Sequence, residues 1–283
     1  MSSFALITGG SRGLGSHLVQ RFWREGYSLV VVARHYADLQ LVLDCLPRRS
    51  DQSATALICD LSDEQKVCIL LDSIKSRIPH LDVLVNNAAI QGPIGSLSES
   101  DLSAWQRTLQ VNLFAPVALC QGLMPLMKRA DNASIINLSG GGATGPRANF
   151  SAYASAKAGL VRFSETIAEE LVGDGIRVNC IAPGAMKTAM LQEVLFNGDA
   201  AGDRETSLAN EVIATGGASM DRVADLAIFL ASDASKGITG KLISAIWDNW
   251  ERWPQHLEEL SQSDVYTLRR ITGKDRGFAW GDK

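Results

Sequence analysis

The chain has 283 residues, of which 46% are hydrophobic and 20% are charged, and its formal net charge is −4. This composition predicts a large globular α/β domain and excludes disordered and collagen-like chains. Nucleic acids and anionic membrane surfaces bind clustered Lys and Arg, so a pI near 5.6 argues against both as partners.

The cysteines, the histidines and the first residues exclude further classes. The five cysteines are too widely spaced for a zinc or disulfide motif, which predicts buried thiols in a reducing compartment. The four histidines are scattered, so we expect no metal site. The chain begins directly with the apolar run Phe4–Ile7, without a basic leader, and no apolar run reaches the roughly 20 residues of a membrane span. We expect a cytoplasmic protein.

Short apolar runs alternate with longer stretches of helical period and predict seven strands. In chain order the predicted strands are Phe4–Thr8, Ser28–Ala33, Ala54–Cys59, Asp82–Asn86, Ser134–Leu138, Ile176–Ile181 and Leu242–Ala245. Strands joined by helices pair in parallel. The predicted fold class is therefore α/β, a doubly wound parallel seven-stranded sheet with helices on both faces, which is a Rossmann fold.

Residues 1–246 are predicted to fold as one unit, because no linker, repeat or charge block divides them. Residues 247–283 have a different composition and contain four of the six tryptophans, interleaved with charged residues. These tryptophans are Trp247, Trp250, Trp253 and Trp280. The pattern predicts a Trp-rich C-terminal extension that docks through its aromatic rings.

A glycine-rich turn, Thr8–Gly15, directly follows the first predicted strand and opens a helix. Such a turn presents backbone N–H groups and the positive end of a helix to a pyrophosphate, which predicts a dinucleotide site. At the end of the second strand, where an NAD-binding chain carries Asp or Glu, this chain has Arg34. A guanidinium suits a 2′-phosphate, and Arg12 lies in the turn itself. We therefore expect NADP(H) to be preferred over NAD(H).

Tyr153 and Lys157 lie four residues apart at the start of a predicted helix and share one of its faces. A nearby lysine cation is expected to lower the pKa of Tyr153, which makes the phenol a candidate proton donor or acceptor.

From residue 4 to about residue 245 the motifs together resemble the short-chain dehydrogenase/reductase family, in its compact tyrosine-dependent branch, and are similar to 3-oxoacyl-(acyl-carrier-protein) reductase-like members. The resemblance extends to Asn86–Ala89, Val111–Asn112, Phe229–Asp233 and Ile238–Gly240. It implies Tyr153, Lys157 and Asn112 as catalytic residues. The implied cofactor-binding residues are Gly9, Ser11, Arg12, Leu14, Gly15, Arg34, Asp60, Leu61, Asn87, Tyr153, Lys157, Pro183, Gly184, Met186 and Thr188.

Three places depart from the family pattern: Gly140, Ala89 where glycine is usual, and the end of the last strand at Ala245–Asp248. The family places a serine thirteen residues before the tyrosine, where this chain has Gly140. Ser139 is the neighbouring candidate, although alternation along a strand would aim it away from the site. Ser151 or a backbone N–H are the other candidate donors.

Residues 185–217 are predicted to form a lid over the substrate, with an apolar inner face. The candidate residues of that face are Met186, Met190, Leu191, Leu195 and Phe196, and the alternative is that these side chains simply pack on the core.

The resemblance implies an NADP(H)-dependent oxidoreductase of the ketoreductase type, acting on a carbonyl or alcohol of a small organic substrate, in a homodimer or homotetramer. Gly140 keeps open a low-turnover dinucleotide-binding sensor or assembly partner. The extension, with Arg269, Arg270 and Arg276, keeps open a dehydrogenase or reductase of a phosphorylated or nucleotide-linked sugar.

Overall fold

The computed structural model describes residues 2–278 and 280, which form a parallel sheet of seven strands. The strands are β1 Phe4–Thr8, β2 Ser28–Ala33, β3 Ala54–Ile58, β4 Val83–Asn86, β5 Ser134–Leu138, β6 Arg177–Ala182 and β7 Leu242–Ser244. Their spatial order is β3-β2-β1-β4-β5-β6-β7. The predicted fold class is confirmed, and each predicted strand end differs from the observed one by a single residue at most.

Helices connect the strands and cover both faces of the sheet. They are α1 Gly13–Arg24, α2 Tyr36–Asp44, α3 Glu64–Lys75, α4 Leu102–Leu109, α5 Ala115–Met127, α6 Ser151–Glu170, α7 Ala189–Ala201, α8 Asp203–Thr215, α9 Met220–Ala231 and α10 Leu257–Gln262. Parallel strands require such crossovers, because the chain must return to the same edge of the sheet before the next strand begins.

Two hydrophobic clusters fill the space between the sheet and its helices. On one face α1 and α9 pack on the sheet, with Leu18, Phe22 and Leu230 fully buried. On the other face, the buried side chains of α3 and α5 include Ile74 and Leu119. A strand between two such layers is buried on both sides, which is why β2 reads as a continuous apolar run.

The order of the strands places a crevice at the centre of the sheet. From β1 the chain runs outward through β2 and β3, and it then crosses to β4 on the other side of β1. The connections at the carboxyl ends of β1 and β4 therefore leave in opposite directions, and ligands bind at this point in doubly wound sheets.

One helical stretch, Leu102–Met127, is long and apolar enough to cross a membrane by length and composition alone. It comprises α4, a π-helical turn Gln110–Phe114 and α5. Leu119 and Leu123 of this stretch are fully buried against the sheet and its neighbouring helices. This is also the pattern of a core helix in a globular domain.

The extension packs on the domain through part of its aromatic content. Trp250 and Trp253 are buried and join the cluster of α1 and α9, whereas Trp247 is 84% exposed and Trp280 is 75% exposed. Beyond α10 the chain runs beside β7, where the carbonyl of Tyr266 accepts a hydrogen bond from Leu242 N–H at 2.8 Å. Residues 279 and 281–283 of the predicted extension lie outside the described residues.

Candidate active site

The glycine-rich turn is pinned to the end of β4 by the side chain of Asn87. Its amide nitrogen donates to the carbonyl of Thr8 at 2.9 Å and to that of Gly9 at 3.3 Å. Gly9 has a φ of +69°, which favours glycine, and a Cβ atom on it would lie 2.9 Å from the Cα atom of Ala88. A Cβ atom on Gly15 would overlap the Gly9 carbonyl. Packing therefore restricts positions 9 and 15 of the turn to glycine, and no side chain at these positions covers the backbone that faces the crevice.

A cleft of about 400 Å³ opens at the crevice and runs from this turn to Tyr153. Most of the predicted cofactor residues line it: Gly9, Ser11, Arg12, Leu14, Gly15, Arg34, Asp60, Leu61, Asn87, Tyr153, Lys157, Pro183, Met186 and Thr188. Gly184 does not line the cleft. It has a φ of +80°, and a Cβ atom on it would lie 2.9 Å from the Cβ atom of Ala218. Gly184 therefore turns the chain out of β6 toward Met186 and Thr188.

Two exposed arginines, Arg12 and Arg34, lie at one end of the cleft. Within residues 2–278 and 280, neither side chain forms a hydrogen bond or an ion pair. At the same end, burial acts to raise the pKa of the Asp60 carboxyl, but hydrogen bonds from the backbone and hydroxyl of Ser62 and the charges of Arg107 and Arg34 hold that pKa below its usual value. Asp60 is therefore an anion whose position is fixed and whose charge interacts with those of Arg107 and Arg34.

Tyr153 and Lys157 lie at the other end of the cleft, on the first two turns of α6. The Lys157 ammonium donates to the carbonyl of Leu138 at 2.7 Å and lies 5.6 Å from the centre of the Tyr153 ring. Burial lowers the pKa of Lys157 to about 8. Burial raises the pKa of Tyr153, and Arg147 opposes that rise. The expectation that Lys157 lowers the pKa of Tyr153 is wrong for this geometry, because desolvation dominates and the cation that counteracts it is Arg147.

Gly140 and Ser139 both face this end of the cleft. A Cβ atom on Gly140 would overlap the phenol oxygen of Tyr153, so a side chain at residue 140 would point at the phenol. Ser139 also lines the cleft, and its hydroxyl is buried and has no hydrogen-bond partner among the described residues. Alternation along a strand would aim Ser139 away from the site, yet this residue, directly after β5, is among those that line the cleft. Ser151 accepts a hydrogen bond from the Trp105 indole at 3.1 Å and is not among the lining residues.

Asn112 lies in the π-helical turn and is fully buried. Its amide nitrogen donates to the carbonyl of Ile90 at 2.8 Å, and its amide oxygen accepts from Ile90 N–H at 2.9 Å. Asn112 does not line the cleft itself; it holds the segment after β4, which does. A π-helical turn inside an α-helix often marks a functional site.

A family model described as short chain dehydrogenase matches residues 3–197 of this chain. The chain belongs to the short-chain dehydrogenase family. It is therefore an oxidoreductase that acts on CH–OH or carbonyl groups with a nicotinamide dinucleotide. The family assigned from the sequence is confirmed.

Two curated relatives and one solved structure illustrate the similarity of this short-chain dehydrogenase to known proteins. It is 34% identical over 202 residues to benzil reductase ((S)-benzoin forming) IRC24 of Saccharomyces cerevisiae, covering 69% of this chain and 75% of the relative. It is 29% identical over 242 residues to the 3-oxoacyl-[acyl-carrier-protein] reductase FabG of Chlamydia trachomatis, covering 85% and 94%. The crystal structure of YwfH, an NADPH dependent reductase involved in bacilysin biosynthesis, has a TM-score of 0.77 and 28% identity, covering 87% of this chain and 97% of YwfH.

The predicted lid covers the catalytic end of this short-chain dehydrogenase with α7 and α8. Phe150 and Tyr153 form an apolar cluster with Val194, Ala201 and Ala209, against which Met190, Leu191 and Leu195 also pack. Phe196 was predicted on the inner face, but it is 92% exposed and points to solvent. The predicted inner face is therefore correct for Met190, Leu191 and Leu195 and wrong for Phe196.

Three charged residues of the site were not found from the sequence. Arg107 lines the cleft and lies 3.5 Å from Asp60, while Arg147 forms an ion pair with Glu205 at 2.7 Å. The partners of these two pairs are 47 and 58 residues apart in the chain. No local spacing pattern reports contacts of that range. Among the described residues, no group of three or more His, Cys, Asp or Glu side chains is placed to hold a metal ion.

Proposed function

We propose that this chain is an NADP(H)-dependent ketoreductase that reduces a carbonyl of a small, predominantly apolar substrate, with Tyr153 as the proton donor. The observation that carries the proposal is the single cleft joining the glycine-rich turn, the Arg12–Arg34 pair and the Tyr153–Lys157 pair. It combines a site for a dinucleotide phosphate with a buried proton donor.

The residues fit the dinucleotide on two independent grounds. The turn after β1 keeps its backbone bare because Gly9 and Gly15 leave no room for a Cβ atom. The side chains of Arg12 and Arg34 are exposed and form no hydrogen bond or ion pair within the described residues, as expected of groups that bind an added phosphate. Their position favours the 2′-phosphate of NADP(H), and the similar YwfH is described as an NADPH dependent reductase.

When bound, the nicotinamide supplies the hydride that reduces the substrate carbon. Tyr153 holds the proton that the reaction needs. As the carbonyl carbon gains the hydride, the carbonyl oxygen takes the phenolic proton, so the O–H bond of Tyr153 breaks and a phenolate remains until solvent returns a proton. Burial raises the pKa of Tyr153, which keeps the phenol protonated and able to donate its proton at neutral pH.

Ser139 is the proposed donor to the substrate oxygen in place of the family serine. Ser139 lines the cleft, and its hydroxyl is buried and has no hydrogen-bond partner among the described residues. A buried hydroxyl without a partner costs stability, so an orphan of this kind beside Tyr153 suits a group that bonds to substrate. Lys157, fixed by Leu138, is the proposed contact to the nicotinamide ribose, and Asn112 fixes the Ile90 segment from outside the cleft.

The lid favours an apolar substrate over a phosphorylated sugar. The cluster around Tyr153 consists of Phe150, Val194 and other apolar side chains of α7 and α8. Arg269, the first arginine of the sugar hypothesis, forms ion pairs with Asp264 and Asp275, and no residue beyond 193 lines the cleft. Assembly into a homodimer or homotetramer is proposed on family grounds alone, and a monomeric mass in light scattering would contradict it.

Oxidation of NADPH and of NADH, measured in parallel over benzil, a 3-oxoacyl thioester, a cyclic ketone, a quinone and a keto sugar, tests the function. We expect turnover with NADPH on an apolar ketone, and its loss in Tyr153→Phe, with NADPH binding by fluorescence unchanged. Turnover that persists in Tyr153→Phe contradicts the mechanism. NADPH binding without turnover on any carbonyl favours instead the alternative suggested by Gly140, a low-turnover dinucleotide-binding sensor or assembly partner.

A further inference from the structure

Arg147, in the loop between β5 and α6, ties this loop to the lid. Its Nε and Nη2 atoms donate to the same carboxylate oxygen of Glu205, on α8, at 3.0 and 2.7 Å. The two side chains are only 16% and 14% exposed. An ion pair so far removed from water is held in one geometry, and removing either partner leaves the other charge poorly solvated.

The same guanidinium lies against the catalytic end of the cleft. Its Cζ atom lies 3.8 Å from the centre of the Phe150 ring and 5.6 Å from that of Tyr153. Because guanidinium planes stack on aromatic faces, Phe150 fixes one side of Arg147 and Glu205 fixes its end. Gly142 leaves it room, since a Cβ atom there would lie 3.2 Å from the Arg147 Cβ atom and 2.6 Å from that of Ala154.

Asn149 makes a second connection between the loop and the lid. It has a φ of +67°, an uncommon value for a residue other than glycine, and such outliers cluster at functional sites. Its carbonyl accepts from Gly95 N–H at 2.9 Å, and its side-chain amide donates to the carbonyl of Ala201 at 3.3 Å. The loop thus holds the end of α7, the start of α8 and the segment after β4 around Tyr153.

We propose that Arg147 is a positioning residue of this centre: its ion pair with Glu205 couples closure of the α7–α8 lid to the placement of a positive charge against Tyr153. The inference rests on the proposed function, in which Tyr153 exchanges the proton. With the lid closed, the charge lies over the phenol ring; when α8 moves away, Arg147 loses the carboxylate that holds it there.

The charged groups around Tyr153 explain why Arg147 affects the phenol even though Lys157 is also nearby. Lys157 lies on α6 and bonds to Leu138, and burial lowers its pKa to about 8, so part of its charge is lost near neutral pH. Glu193 of α7 lines the same cleft, and Glu205 faces Arg147. A guanidinium stays protonated throughout this range. Arg147 is therefore the permanent positive charge at the phenol, and it acts to lower the pKa of Tyr153.

The test compares pH profiles of kcat for oxidation of the alcohol formed from the ketone that responds best. In Arg147→Gln we expect the apparent pKa of the essential base to rise by about one unit, the shift typical of losing a cation at this range. In Arg147→Lys, which keeps a positive charge, the apparent pKa should rise less than in Arg147→Gln. Glu205→Ala should raise the pKa as Arg147→Gln does and also raise KM, and the double variant should add little to either single change.

A matched control exists elsewhere in the chain. Arg222 also pairs with a glutamate, Glu251, and lies 4.6 Å from the centre of an aromatic ring, that of Trp250, remote from the cleft. Arg222→Gln should leave the pH profile unchanged. Ultraviolet difference titration of tyrosinate, with Tyr153→Phe as the blank, gives a readout that needs no substrate, and the Tyr153 transition should move upward in Arg147→Gln.

Each outcome supports or overturns the inference. An unshifted kcat profile and an unshifted tyrosinate transition in Arg147→Gln, with Tyr153→Phe inactive, overturn it and leave the proposed function intact. An apparent pKa of Tyr153 that falls in Glu205→Ala overturns the coupling. The Arg147 charge would then stay against the phenol without its ion pair to the lid. Activity in Tyr153→Phe instead overturns the proposed function, and the tyrosinate titration still decides whether Arg147 acts on Tyr153.

Discussion

The phenol oxygen of Tyr153 occupies the space that a side chain on Gly140 would need. Tyr153 can therefore hold this position only because residue 140 has no side chain. Gly140→Ala should displace the phenol and lower kcat at least about tenfold, since a displacement of about 1 Å at a reacting group costs up to 10²-fold. Steady-state kinetics measure the effect. Gly145→Ala is the control, because a Cβ atom there meets nothing within 4 Å; equal kcat values for both variants would contradict the argument.

Ser139 should matter for the rate and not for stability. Its hydroxyl is buried without a partner among the described residues, so Ser139→Ala removes no hydrogen bond and should leave the free energy of unfolding unchanged or slightly higher. If the hydroxyl binds the substrate oxygen, kcat should fall by about 100-fold, as for other donors to a developing oxyanion. Urea unfolding and turnover are measured on the same variant. In Ser151→Ala the rate should hold, since Ser151 is bonded to Trp105; a greater loss of kcat there would transfer the role to Ser151.

Arg34 should decide between the two dinucleotides. Arg34→Asp replaces a cation that suits a 2′-phosphate by an anion that repels it and accepts from a ribose hydroxyl. We expect kcat/KM for NADPH to fall by about 10- to 100-fold, the equivalent of one charge-assisted hydrogen bond, and that for NADH to rise. Arg48→Asp makes the same change of charge at an exposed position away from the cleft. A similar loss in both variants would mean that net charge, and not a contact at Arg34, controls the preference.

The buried ammonium of Lys157 predicts how stability depends on pH. Burial lowers its pKa from 10.5 to about 8, so between these values the unfolded chain binds more protons than the folded one. The free energy of unfolding of wild type then rises with pH across this window. Relative to that of Lys157→Met, it should increase by about 3 kcal/mol. Urea titrations at about pH 7 and about pH 10 measure the difference. Lys75→Met, at a half-exposed lysine of α3, should show no such trend; a constant gap between wild type and Lys157→Met would refute the assignment.

The tryptophans of the extension should differ sharply in their contribution to stability. Trp253 is buried, and its ring lies 4.3 Å from that of Tyr266, centre to centre. Trp253→Ala should therefore cost about 3–5 kcal/mol. Trp247 is 84% exposed, and Trp247→Ala should stay within about 0.5 kcal/mol of wild type. Thermal or urea unfolding compares the two; similar values would show that the extension contributes nothing through Trp253.

The parts of this site that follow from local pattern were predictable, and the parts that follow from packing were not. The turn after β1 and the Tyr153–Lys157 pair are sequence-local, because glycine spacing and helical periodicity fix them. The pKa of Tyr153 was predicted with the wrong sign, since spacing reveals a nearby lysine but not the burial of the phenol. Phe196 was misassigned for another reason: Met190, Leu191, Val194 and Leu195 share one face of α7, and helical periodicity places Phe196 on the opposite face, where it is exposed.

Contacts between distant segments lay beyond prediction altogether. Arg147 and Glu205 belong to different loops and helices, and each alone reads as an ordinary surface charge. Ser139 follows directly on β5, whose predicted and observed bounds agree, and the alternation of side chains along a strand did not reveal that this residue lines the cleft.

The way the extension runs beside β7 has a practical consequence for anyone who shortens this chain. The two outward N–H groups of that last strand are both engaged by it, Leu242 by the carbonyl of Tyr266 and Ser244 by the carboxylate of Asp248. An open strand edge is a template on which further chains assemble. A truncated form ending near residue 246 would expose both donors along a row of apolar side chains. It should therefore self-associate through the open edge of its sheet.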